Sequence, residues 1–125
     1  MAIIGMGTDI IEISRIAQAA EKNTRFARRI LTETEWDIFN QQADPVRYLA
    51  KRFAAKEAAA KALQTGIGRG ISWHHLEVAN HDSGAPFLIL SQGALQVFKN
   101  RGGRSSHLSI SDEARFAVAT VIFEN

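Results

Sequence analysis

The stretch Phe53-Ala54-Ala55-Lys56-Glu57-Ala58-Ala59-Ala60-Lys61 decides how this chain folds. It lies within a run from Val46 to Gln64 that is rich in alanine and free of glycine and proline, which predicts one long helix of high intrinsic propensity. Asp44-Pro45 supplies the start, with Asp44 as N-cap and Pro45 at the first helical position, where its missing N–H costs nothing. Thr65-Gly66-Ile67-Gly68-Arg69-Gly70 supplies the stop, and Gly66 is the expected left-handed cap. Such a helix runs roughly 30 Å, enough to cross a domain, and its alanines let neighbours approach closely. The four-residue spacing places Phe53, Glu57 and Lys61 on one face.

Outward from this helix, Ala2 to Met6 reads as a buried strand, and Gly5 and Gly7 let the backbone turn or approach a neighbour just before Thr8-Asp9. Ile10, Ile13, Ile16, Ala17 and Ala20 then recur at helical spacing, so a helix is expected directly after Asp9, continued briefly by Phe26, Ile30 and Leu31. Thr32-Glu33-Thr34-Glu35 is a capping box, worth about 1 kcal/mol, that opens a helix through Trp36 and Phe39. Downstream, residues 76–80 and 86–90 flank His81-Asp82-Ser83-Gly84 as a hairpin, and Ser91 caps a short helix. Residues 107–111 and 116–123 form a second hairpin turning at Asp112-Glu113. Helices precede most strands, so the expected fold is α+β, with an antiparallel sheet packed against the long helix.

The 125 residues suit a single domain with one core. The absence of cysteine excludes a disulfide framework, thiolate zinc sites and thiol nucleophiles. No basic leader precedes a long apolar block and no window reaches the roughly 20 apolar residues a bilayer needs, so the chain reads as soluble and cytoplasmic, with no membrane partner. A net charge of +2 is too small to announce nucleic acid. The positive residues are nevertheless clustered, Arg15, Lys22, Arg25, Arg28 and Arg29 falling close together around Phe26, which suits an acidic protein partner or else a solvated face.

Asp9 alone reads as a helix cap, and Glu57 four residues before Lys61 reads as an exposed helical ion pair. Taken jointly they say more. Mg²⁺ takes oxygen ligands and is commonly held by one or two carboxylates together with substrate phosphate and water. If the first strand packs beside the long helix, Asp9 and Glu57 can supply those carboxylates, and Lys61 can meet phosphate charge. Gly66, Gly68 and Gly70 do not form a dinucleotide fingerprint, because they follow a helix and miss its spacing. No Gly-x-Ser-x-Gly occurs, which leaves serine hydrolysis unsupported.

Gly5-Met6-Gly7-Thr8-Asp9-Ile10-Ile11-Glu12, Phe53 to Ala62, Gly66-Ile67-Gly68 and His107-Leu108-Ser109-Ile110-Ser111-Asp112 together resemble the holo-acyl-carrier-protein synthases, the small phosphopantetheinyl transferases of fatty-acid synthesis. The resemblance covers nearly the whole chain and implies one phosphopantetheinyl transferase domain over residues 1–125. It implies transfer of 4′-phosphopantetheine from coenzyme A to a serine of apo acyl carrier protein, with release of adenosine 3′,5′-bisphosphate. By the same likeness, Asp9 and Glu57 are Mg²⁺ ligands and Lys61 lies beside the pyrophosphate; the serine proton needs a base, for which Glu57, directly or through a metal-bound water, is the candidate. Arg52 and His107 are expected at the nucleotide end, and Gly66 along the pantetheine arm. Arg15, Arg25, Phe26 and Arg29 correspond to the surface that receives the carrier protein. A homotrimer with active sites between subunits is implied, so His107 would serve a neighbouring chain. A pyrophosphatase using the same acids, or a non-catalytic basic module, are the competing functions.

Overall fold

The computed structural model describes residues 1–125. Strand β1 (Ile3–Glu12) leads into α1 (Ile13–Lys22), α2 (Phe26–Ile30), α3 (Glu33–Phe39) and the long α4 (Pro45–Leu63). A 3₁₀ turn at Trp73–His75, hairpin β2 (Leu76–Asn80) and β3 (Pro86–Leu90), α5 (Gln92–Asn100), β4 (Ser105–Asp112) and β5 (Phe116–Glu124) complete it. The fold is α+β, as expected. Strands β1, β5 and β4 form an antiparallel sheet in that order, and β2–β3 is a separate two-stranded sheet.

The sequence signals around α4 act as read at its start, where Asp44 accepts from the Arg47 amide and Pro45 occupies the first turn. At its end Gln64, not Gly66, is the left-handed cap, with φ 65°. Gly66 follows with φ 68° of its own, so the reversal begins two residues earlier than the glycine suggested. The capping box at Thr32 and Glu35 forms in full. Ser91 sits at the start of α5 but makes no side-chain cap bond there.

The first strand is longer than the helical spacing of its isoleucines suggested. Pairing with β5 runs from Gly5↔Phe123 to Glu12↔Phe116, so residues 10–12 gain a ladder of cross-strand bonds and remain extended. Asp9 therefore lies within a strand, paired with Ala119, and is not a helix cap. Alternation then sorts the strand: Gly5 and Gly7 are buried toward α4, whereas Met6 and Ile10 are exposed on the opposite face.

The alanines of α4 make this packing possible. Ala54, Ala55, Ala58, Ala59 and Ala62 are completely buried, facing Ala119, Val121 and Phe123 of β5 within the larger core. A second core gathers Ile16, Ile30, Leu31, Leu49 and Ala117 under the first helices. Backbone contact is closest at β1: a Cβ on Gly5 would overlap the Ala62 carbonyl oxygen, and one on Gly7 would overlap that of Ala58. The glycines thus act as points of close approach between strand and helix, one of the two roles the sequence left open. No helix is long and apolar enough to cross a membrane.

Candidate functional site

The close approach of β1 to α4 sets Asp9 beside the column Phe53, Glu57 and Lys61. Lys61 Nζ donates to the Thr8 carbonyl (2.9 Å) and to Asp9 Oδ1 (3.3 Å), reaching across from helix to strand. Asp9 Oδ2 is buried and has no hydrogen-bond partner. An orphaned carboxylate oxygen is costly unless something else meets its charge. The Glu57 carboxyl is pushed above its ordinary value, first by burial and then by the negative charge of Asp9, with Lys61 acting in the opposite direction.

Two neighbouring carboxylates, one with a buried unsatisfied oxygen, fit a hard divalent cation. No cluster of three or more His, Asp or Glu side chains is present, so a cation held here would rely on oxygens from substrate and water for the rest of its shell. Lys61 is half exposed, and its ammonium can serve an incoming phosphate as well as Asp9.

Phe53 stacks against Trp73 with ring centroids 5.2 Å apart and lies 6.1 Å from Phe26. That places the head of the column against α2, which carries Arg28 and Arg29 and is preceded by Arg25. Arg28 is neutralised internally by Glu33 at 2.8 Å and lies over the Trp36 ring. Arg15, Arg25 and Arg29 are exposed and take part in no ion pair.

Arg52 and His107 lie elsewhere within this chain. Arg52 is buried on another side of α4, stacked over the Tyr48 ring and donating to Asn80 Oδ1 at 2.7 Å, with its Nε unpartnered. His107 pairs with Ile122 across the sheet, whereas Asp9 pairs with Ala119, so alternation points the two side chains to opposite faces. On that outer face His107 lies 2.7 Å from Glu124. Gly66 sits in open space just beyond the end of α4. None of the three surface depressions includes Asp9, Glu57 or Lys61.

Sequence reasoning passed over Lys56. It is fully buried, and Nζ donates to the Ile30 carbonyl (2.7 Å), Glu35 Oε1 (2.6 Å) and the Trp73 carbonyl (3.2 Å). Glu35, read from the sequence only as a cap, is also fully buried and additionally accepts from the Val78 amide. In sequence Lys56 stands between Ala55 and Glu57 with no local sign that it faces inward, because its acceptors lie 26, 21 and 17 residues away.

Residues 5–121 match the family model described as the 4′-phosphopantetheinyl transferase superfamily. A holo-[acyl-carrier-protein] synthase of Shewanella sp. (strain MR-4) is 55% identical over 126 residues, spanning 100% of this chain and 99% of the relative. Among solved structures, the holo-[acyl-carrier-protein] synthase of Neisseria meningitidis superposes with a TM-score of 0.92 at 40% identity, covering 99% of this chain and 100% of that one. A holo-(acyl-carrier-protein) synthase from Bacillus anthracis, solved in complex with CoA (3′,5′-ADP), superposes with a TM-score of 0.81 at 41% identity, covering 97% and 96%.

Proposed function

The chain belongs to the 4′-phosphopantetheinyl transferase superfamily as an enzyme of the holo-acyl-carrier-protein synthase type, and from that premise we propose how residues 1–125, as a single domain, carry out the transfer. The reaction moves 4′-phosphopantetheine from coenzyme A to a serine of apo acyl carrier protein. The serine oxygen forms a bond to the β-phosphorus of coenzyme A, the bond from that phosphorus to the bridging oxygen breaks, and adenosine 3′,5′-bisphosphate leaves.

The observation that carries this reading is the buried, unpartnered Asp9 Oδ2 beside a Glu57 whose carboxyl is raised partly by Asp9. These two residues are the Mg²⁺ ligands of the proposal. Bound there, Mg²⁺ would neutralise charge accumulating on the diphosphate. Lys61 supplies a second positive charge to the same phosphates from the neighbouring turn of α4. Glu57 accepts the serine proton as the general base of the proposal. Arg15, Arg25, Phe26 and Arg29 receive the acidic carrier, and their lack of internal counter-ions supports that role. A pyrophosphatase would have no use for this surface.

The active site is completed between subunits of a homotrimer in the cytoplasm. Met6 and Ile10 are 63% and 62% exposed on the outer sheet face, an apolar surface suited to burial against another copy. His107 projects from this same face, so it would reach the nucleotide end of coenzyme A bound mainly to a neighbour, whereas Arg52, with its Nε unpartnered on α4, would serve the nucleotide end of coenzyme A bound mainly to its own chain. Gly66, in open space, leaves room for the pantetheine arm.

The test mixes the protein with apo carrier, coenzyme A and Mg²⁺ and follows intact carrier mass. A phosphopantetheine-sized gain, lost on chelation, is expected. No gain with any of several bacterial carriers would refute the assignment.

A further inference from the structure

Lys56 occupies a position where an apolar residue would be cheaper. Burial pushes its ammonium below the ordinary lysine value, and burying an ion pair in general returns little or no net stability over a well-packed apolar pair. What a charged donor adds is direction. The three acceptors of Lys56 lie on three separate elements: the last residue of α2, the capping glutamate of α3, and the 3₁₀ turn before β2. Glu35 extends the tie by accepting from the Thr32 and Val78 amides. Thr32 Oγ1 in turn donates to Glu77 Oε1.

The elements so tied carry the surface assigned to the carrier. Ile30 follows Arg29 directly, and Trp73 presents the ring on which Phe53 stacks. Lys56 itself precedes Glu57 by one residue on a rigid helix. We propose that Lys56, with Glu35, is a positioning residue that holds α2 and the Trp73 turn in a fixed setting against α4, so that a carrier seated on Arg25, Phe26 and Arg29 delivers its serine to Glu57. This deepens the transferase reading and rests on it.

The test compares wild type with the paired variant Lys56→Met/Glu35→Gln, which removes both charges at similar volume and avoids leaving one of them unpaired. Folding is checked by circular dichroism, and steady-state rates are measured with carrier and coenzyme A varied separately. The KM for carrier is expected to rise about tenfold while that for coenzyme A stays within about twofold. The affinity for apo carrier, read by fluorescence anisotropy, should fall in parallel. A folded variant with an unchanged carrier KM, or with both KM values raised equally, overturns the proposal.

If the variant does not fold, hydrogen exchange on the wild type decides. Added apo carrier should increase amide protection across residues 26–35 and 73–78 as well as in α1, and protection confined to α1 overturns the proposal. Wild type that leaves carrier mass unchanged removes the transferase reading and this one together. An active wild type with an unaffected paired variant removes only this one.

Discussion

Lys61 bridges helix and strand by bonding both the Thr8 carbonyl and one oxygen of Asp9, which leaves the other Asp9 oxygen buried and unmatched. The arrangement holds the carboxylate in place without neutralising it fully. Asp9→Asn keeps the shape and removes the charge, so transfer should fall by about 100-fold or more while the fold persists. Intact-mass kinetics on the carrier, with far-UV circular dichroism as the folding check, measures both.

Glu57 links stability to pH. Its folded-state pKa lies above the ordinary value of 4.5, so the folded chain holds its proton more tightly than the unfolded chain does. Stability is therefore lost as pH rises from the ordinary carboxylate value through the raised one, and it is regained as pH falls. Glu57→Gln should increase Tm at neutral pH in chelator, with the gain shrinking toward pH 4.5, while transfer activity is lost. Thermal melts across that range test the sign, and a Tm gain independent of pH would contradict it.

The approach of β1 to α4 depends on two missing side chains. Gly7→Ala puts a methyl group into the Ala58 carbonyl and against the Lys61 side chain, so strand and helix must separate. A loss of roughly 1–3 kcal/mol in urea unfolding is expected, as for other overpacked contacts. Transfer should fall further than stability alone explains, because Asp9 moves with the strand.

Assembly can be tested on the outer sheet face. Ile10→Glu leaves the α4 side of the strand untouched but places a charge in the proposed subunit contact. Sedimentation should shift from trimer toward monomer, and transfer should fall with it. A wild-type monomer at working concentration would overturn the shared-site reading.

Much of this was legible in local sequence. The start of α4, the capping box at Thr32 and both hairpins follow from signals that act within a few residues. The same holds for the shared face of Phe53, Glu57 and Lys61, which follows from helical geometry alone. The end of β1 is not legible locally, because Ile10 and Ile13 fit a helical period and only pairing with Phe116 and Val118, over 100 residues away, decides for the strand. The opposite facing of Asp9 and His107 is likewise a matter of register across β5, which no local motif encodes. The role of Lys56 is hidden for a different reason: a lysine in a run of alanines reads as solubilising, and its buried acceptors lie on other elements.

Strand β1 is inscribed on both sides, with Asp9 on the face toward α4 and the exposed Met6 and Ile10 on the other. A slip of a single residue would exchange Asp9 with Ile10, so one register error would alter both the acid proposed for catalysis and the apolar face proposed for assembly.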